Sequence, residues 1–407
     1  MTATDQGDGA STDVAQPRNA LATACTAHIT QDGVSATVYV VLPVIAQAFG
    51  LSYAQVGLFK GLKSVAQGIF EILSGFISDR FGESRVLATG LLVSGSGFLT
   101  LAFAPGAIAV GIALCLVGVG TALHHAPSSS LIVSAYGDSG RRSALGYYNA
   151  SGDVGKLAFS GLFSATIALG VYWQSITLVF AMAAIAAATF IEFRAPATKV
   201  KTAEQREEKS QDAPSRWGVL HVAPFTALLV VVFIQTLVQA GALVFVAFLM
   251  LEKGLPLAIA TAATVVLLLG GVFGKAFCGK LLERFGVKIA FAIVQTLTAL
   301  GLATIVFAPA WLAFAALLPL GAVVQGSTSV TYGFTADLIH PQRMARGYAL
   351  LYGSSALSSA AGPLMFGLLA DGPGLNVAML AMACVALLAT MPLGYLARFE
   401  SDQLRMA

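Results

Sequence analysis

Charge is scarce in this chain. Of its 407 residues only 11% are Asp, Glu, Lys or Arg, and 57% are hydrophobic. Soluble domains carry about a quarter charged residues, so a fold bathed in water is excluded, because it could not hide this much apolar surface. Cysteine is rarer still. Cys25, Cys115, Cys278 and Cys384 are scattered through separate apolar runs. That argues against a disulfide framework or a metal site and marks them as small buried hydrophobes. The first 20 residues lack a basic segment followed by a cleavable apolar one, so a disordered tail is expected rather than a secretory signal. No nucleotide-binding motif, nucleophile–base array or metal-ligand cluster stands out, so neither an enzyme nor a cofactor is expected. The net charge of +3 says little about partners, and no nucleic acid is expected among them.

What fills the chain is apolar sequence in runs of about 20 residues, the length a membrane-crossing helix requires. The runs predict an all-α membrane protein of twelve transmembrane helices, over 21–49, 54–77, 85–104, 107–135, 143–169, 173–193, 222–251, 256–281, 288–307, 310–337, 344–370 and 375–397. Residues 1–20 form a tail, 21–193 a first six-helix bundle, 194–220 a charged linker, 221–398 a second bundle and 399–407 a second tail. Arg80, Arg85, Arg141, Arg142, Lys280, Arg284, Lys288, Arg343 and Arg346 fall in alternate loops, with six more basic residues in the linker, whereas the opposite loops hold only Lys253. By the positive-inside rule both termini and the linker are cytoplasmic, in a multi-pass membrane protein.

The sequence says several things twice. GFISDRFGESR (Gly75–Arg85) returns as GKLLERFGVKI (Gly279–Ile289), 204 residues later, and ALGYYNASG (Ala144–Gly152) returns as ARGYALLYG (Ala345–Gly353). Matches in the same order at nearly the same offset predict duplicated, pseudo-symmetric halves. Gly75, Asp79, Arg80 and Gly82, with Gly279, Glu283, Arg284 and Gly286, then occupy equivalent cytoplasmic turns between the second and third helices of each half. Glycine permits the turn, Arg stays at the headgroups, and the acid can face a helix N-terminus. Two readings stand: a cytoplasmic gate motif, or a solvated turn that fixes topology.

Ionisable residues within spans are costly and point to a wet cavity or a partner. They are His28 and Asp32 in the first helix, Lys60, Lys63 and Glu71 in the second, His124 and His125 in the fourth, Asp153 and Lys156 in the fifth, and Lys275 in the eighth. His28 and Asp32 share a helix face, which suits a proton-carrying pair or a hydrogen-bonded pair near the cytoplasmic end. Lys60, Gln67 and Glu71 share another, as a polar pathway wall, unless Lys60 snorkels outward. Asp153 and Lys156 can neutralise each other. Lys275 has no acid near it on its own helix, so it contacts an anionic solute or pairs across the halves. Of His124 and His125, adjacent in sequence, only one can point into the cavity. Tyr39, Tyr147, Tyr148, Tyr332, Tyr348 and Tyr352 are expected to face inward or to pack between helices.

Gly75-x-x-x-Asp79-Arg80-x-Gly82 and the six-plus-six layout resemble the major facilitator superfamily. His28-x-x-x-Asp32, Gly118-x-Gly120 with His124-His125-x-Pro127, the glycine-rich start of the fifth helix, and Glu252-Lys253-Gly254-Leu255 resemble its fosmidomycin-resistance branch of bacterial exporters. That branch has His directly before Pro, where Ala126 intervenes here. The resemblance implies two bundles around a central site, with helices 3, 6, 9 and 12 peripheral, working by alternating access as a monomer in a bacterial inner membrane. Without a nucleotide motif the energy is expected from an ion gradient, most simply protons. The expected function is secondary transport of a small organic solute: proton-coupled efflux of an anionic or amphiphilic drug or metabolite, or else proton-coupled import of an organic acid.

Overall fold

A computed structural model describes residues 17–136, 140–194, 217–335, 338–340 and 344–396. Most of the expected tails and linker lies outside these residues. The described residues form twelve helices: α1 (Pro17–Phe49), α2 (Tyr53–Phe81), α3 (Glu83–Ala102), α4 (Ala107–Tyr136), α5 (Arg141–Ala168), α6 (Trp173–Arg194), α7 (Val222–Glu252), α8 (257–285), α9 (287–307), α10 (Ala310–Thr335), α11 (Met344–Asp371) and α12 (Leu375–Leu388). Among them, eight continuous stretches are long and apolar enough to cross a membrane. One of these, Leu257–Phe307, bends at Gly286 and crosses twice. The remaining crossings, α2, α5 and α11, fall short because their inward faces are polar.

Local chemistry explains the boundaries. α1 is helical from the first described residue, Pro17, which lies inside the expected tail. Ser52 caps α2 with Gln55 in a reciprocal capping box. The repeated turn is a true repeat in space. Gly82 ends α2 at φ 87°, and Gly286 ends α8 at φ 73°, a region that strains any residue with a Cβ. α4 is interrupted at Leu123 and His124. Pro127 has no N–H to give the Leu123 carbonyl, so the helix stops and restarts at His125. Of the four free cysteines only Cys278 is buried. Cys384 is exposed on the lipid-facing α12, correcting the expectation that all four are core residues.

The bundles α1–α6 and α7–α12 meet along α2 with α11 and α5 with α8. On the side of the short turns the seam is sealed. Gly57 lies against the Pro363 backbone and Gly367 against the Tyr53 backbone, at positions where a Cβ would overlap. The Asp371 carboxylate accepts from the Tyr53 and Ala54 amides at 2.8 and 2.9 Å, capping α2 from the other bundle, and the Tyr53 hydroxyl donates to Glu252 at 2.6 Å. Towards the termini the helices part. Beyond Gly68, whose Cβ position is 2.9 Å from Ala356, Gly75 and Gly353 have no described neighbour within 4 Å.

Candidate functional site

A cavity of about 430 Å³ lies between the bundles, walled by α1, α2, α4, α5, α7, α8, α10 and α11. Its charged lining is Asp32, Lys60, Lys63, His125, Asp153, Lys156 and Lys275. Helices α3, α6, α9 and α12 contribute nothing to it. Of the expected pathway residues three stand apart. Glu71 is half-buried on α2 beyond the wall, His28 stands behind Asp32, and His124 is buried behind His125.

The N-terminal wall is built on α1. His28 and Asp32 sit near the middle of this 33-residue helix, not near its end, because the helix starts earlier than expected. Their side chains are 5% and 6% exposed, and His28 Nε2 is 3.1 Å from Asp32 Oδ2. His28 Nδ1 lies 2.7 Å from the Tyr148 carbonyl, which can only accept, so Nδ1 carries a hydrogen. Nε2 and the carboxylate would then oppose lone pair to lone pair unless one more proton sits between them. The ring stacks on Tyr148 with centroids 4.1 Å apart, and a Cβ on Gly152 would overlap it. Tyr148 also places its hydroxyl 3.2 Å from His124 Nε2.

The break in α4 brings His124 and His125 to this cluster. Irregular backbone at membrane depth is tolerated where it is buried or lines a cavity. Ligand atoms of His28, Asp32, His124 and His125 all lie within 4.8 Å of one another, so these four residues could hold a metal ion. A cation there would have to displace the Lys156 ammonium, which is 3.1 Å from the same Asp32 oxygen as His28.

From Asp32 a chain of alternating charge crosses the molecule. Lys156 Nζ reaches Asp153 Oδ1 at 3.4 Å, and Lys275 Nζ bonds both Asp153 oxygens at 2.7 and 2.6 Å. Asp153 belongs to α5 and Lys275 to α8, so the chain His28–Asp32–Lys156–Asp153–Lys275 ends as a bridge between bundles. Lys275 is therefore not free for an anion, and of its two expected fates the pairing across the halves is the one observed. Lys60 does not snorkel: it is 2% exposed and donates to Ser64 at 2.7 Å and to Ser359 of α11 at 3.2 Å.

Sequence reasoning missed Ser359 and the Tyr53–Asp371–Glu252 contacts. Serine in an apolar run carries no signal of its own. Asp371 and Glu252, though, are isolated acids at span ends, which could have flagged a contact there. Of the tyrosines, Tyr39 lines the cavity, Tyr148 is buried in the histidine cluster, and Tyr147 is 67% exposed, so it is not packed between helices. One helical step of 100° separates adjacent residues, so Tyr147 and Tyr148 cannot share a face. The side chain of Tyr332 lies outside the described residues.

At the repeated turns, Arg80 and Arg284 lie over the rings of Phe81 and Phe285 at 5.5 and 5.3 Å, and Gly75 and Gly279 meet nothing within 4 Å.

A model of the Major Facilitator Superfamily matches residues 24–274 and 228–405. The chain is 25% identical over 373 residues to an uncharacterized MFS-type transporter, YfnC, of Bacillus subtilis (strain 168), covering 89% of this chain and 88% of that protein. It is 33% identical over 99 residues to the multidrug resistance protein MdtH of Yersinia pestis (strain Pestoides F), which is 23% of this chain and 25% of that one. In fold it is similar to a bacterial homolog of the human lysosomal transporter Spinster in an inward-facing, unoccupied conformation. That likeness has a TM-score of 0.77 at 18% identity over 96% of this chain and 98% of that one.

Proposed function

The chain belongs to the major facilitator superfamily, and from that premise we propose that it is a proton-coupled secondary transporter exporting a small anionic or amphiphilic organic solute, a drug or metabolite, across a bacterial inner membrane. Both termini and the linker face the cytoplasm, the working unit is a monomer, and no cofactor takes part. The observation that carries this reading is the continuity of the buried His28–Asp32 pair with the Asp153–Lys275 bridge between bundles.

A proton delivered to Asp32 cancels the charge that holds Lys156. Lys156 then turns its ammonium to Asp153, its other neighbour. Asp153 shares its charge between two lysines, and its hold on Lys275 weakens. The bundles, now less tightly bridged on the α5–α8 seam, can re-pivot about the site, as alternating access requires. Proton occupancy and bundle orientation become linked because the same carboxylates serve both.

Support for the exporter branch comes from its two motifs, His28-x-x-x-Asp32 and His124-His125, converging on one cluster although they are far apart in sequence. The short likeness to a multidrug resistance protein points the same way. The repeated turns, with Asp79, Arg80, Glu283 and Arg284 on the side where the bundles part, act as the cytoplasmic gate.

The test is solute-driven proton movement in liposomes containing an internal pH dye, with Asp32→Asn beside the wild type. Export predicts proton flux opposite in direction to the solute, and none in the variant. Flux in the same direction as the solute would replace export by import of an organic acid, and wild-type flux in Asp32→Asn would remove the relay.

A further inference from the structure

Four ammonium groups line the cavity, from Lys60, Lys63, Lys156 and Lys275, against two carboxylates, Asp32 and Asp153. Both carboxylates are engaged. Asp32 is held by His28 and Lys156, and Asp153 by Lys156 and Lys275. Lys60 and Lys63 are left over. They are 2% and 3% exposed, and among the described residues neither has a carboxylate oxygen within 4.0 Å. Glu71, the other acid of α2, stands eight residues beyond Lys63, roughly 12 Å along the helix.

Among the described residues every hydrogen-bond partner of the two lysines is neutral, and Asp32 and Glu71 act on Lys63 only from beyond contact distance. Lys60 donates to Ser64 and Ser359 and lies 5.3 Å from the Tyr39 ring, while Lys63 reaches Gln67 Oε1 at 3.4 Å. Two buried cations with no carboxylate in contact are expensive at membrane depth, and groups kept at such a cost point to an absent partner. The spacing is also informative. Residues three apart lie on one helix face, so both ammoniums open onto the same side of the cavity.

We propose that Lys60 and Lys63 form an oxyanion subsite that receives a carboxylate- or phosphate-type group of the transported solute. This rests on the transporter reading above and moves the anion contact from Lys275, where the sequence suggested it, to α2. An oxyanion between the two ammoniums accepts a charge-assisted bond from each. Ser359 belongs to α11 of the opposite bundle, so an anion seated beside Lys60 lies on the seam. Its binding energy then differs between bundle orientations, which is the condition for a ligand to shift them.

The experiment titrates full-length protein in nanodiscs with phenyl phosphate and benzoate, beside neutral benzamide and cationic benzylamine of similar size. Saturable binding is expected for at least one anion and not for the other two compounds. Lys60→Met and Lys63→Met should each weaken it at least about tenfold, the scale of one charge-assisted hydrogen bond. Lys63→Arg should retain most of it. The ligand-free Met variants should melt no lower than wild type, since each removes an uncompensated charge, whereas a merely structural lysine would lower the midpoint on removal. Benzamide or benzylamine binding as tightly as the anions overturns the proposal from wild-type protein alone, whatever the variants do. So does anion affinity within about twofold of wild type in both folded Met variants. Proton flux driven by benzylamine would keep the transporter and remove the subsite. Lysine-dependent anion binding without any solute-driven flux would keep the subsite and remove the transporter.

Discussion

Gln31 in the first bundle and Gln235 in the second stand 204 residues apart, the same offset as the two glycine turns. Each ties the first helix of its bundle to the fourth. Gln31 donates to Thr121 at 3.1 Å and to Ser94 at 2.7 Å, and Gln235 donates to Ser327 and accepts from Thr331 at 3.5 Å. Around these matching cross-links the bundles diverge. The first surrounds its glutamine with His28, Asp32, His124, His125 and Lys156. Among the described residues the second lines the cavity with neutral amides and hydroxyls, Gln239 donating to Gln325, and a single charge, Lys275. Duplication kept what holds helices together, while the ionic chemistry collected in one half. Asp32 shows this most directly, since the residue 204 positions later is Thr236, which also lines the cavity.

That contrast can be broken at graded cost. Asp32→Asn should lower solute-driven proton flux about a hundredfold or more, the scale of removing a positioned proton-transfer group, while Thr236→Val leaves it within about threefold. Flux assays on the two variants side by side decide whether the asymmetry is functional. Next in size, Lys275→Ala and Asp153→Ala should each lower thermal stability. A double-mutant cycle should return a coupling energy of about 1–3 kcal/mol, below that of a fully buried pair because the bridge is wetted by the cavity. A coupling near zero would mean the bridge does not join the bundles.

Gln31→Leu and Gln235→Leu sharpen the shared side of the comparison. Each should cost about 1–2 kcal/mol, leaving hydroxyls without their amide partner. The two should agree within about 0.5 kcal/mol in denaturant unfolding if the scaffold is truly duplicated. Smallest of all, Gly82→Ala and Gly286→Ala should each cost about 1 kcal/mol through backbone strain at positive φ, equally in both halves.

The helices were legible because apolar runs and charged turns are local features. What escaped was also physical. The helical character of residues 17–20 was hidden by polar side chains that a helix tolerates outside the bilayer, and the break in α4 needed attention to Pro127 rather than to hydropathy. The charged residues could be picked out singly, but helical periodicity reports only neighbours on one helix. Asp153 meets Lys275 across 122 residues, His28 meets the Tyr148 carbonyl across 120, and Lys60 meets Ser359 across 299. No pattern along the chain encodes those pairings, so the sequence left Lys275 two fates, an anion contact or a partner across the halves, without naming Asp153.

The glycines at the parted end of the seam carry a further meaning. Gly75, Gly146, Gly279 and Gly353 sit one on each of α2, α5, α8 and α11, and none has a described neighbour within 4 Å of where a Cβ would stand. At the sealed end of α2 and α11, by contrast, Gly57 and Gly367 are pressed against backbone of the opposing bundle. A methyl group added at any of these four positions meets no obstacle in this conformation, so melting curves would score all four as neutral or slightly stabilising. The cost would surface only when the helices come together there, as a slowed or trapped turnover. These positions keep room for an arrangement absent from the present one, and kinetics rather than stability is the instrument that can read it.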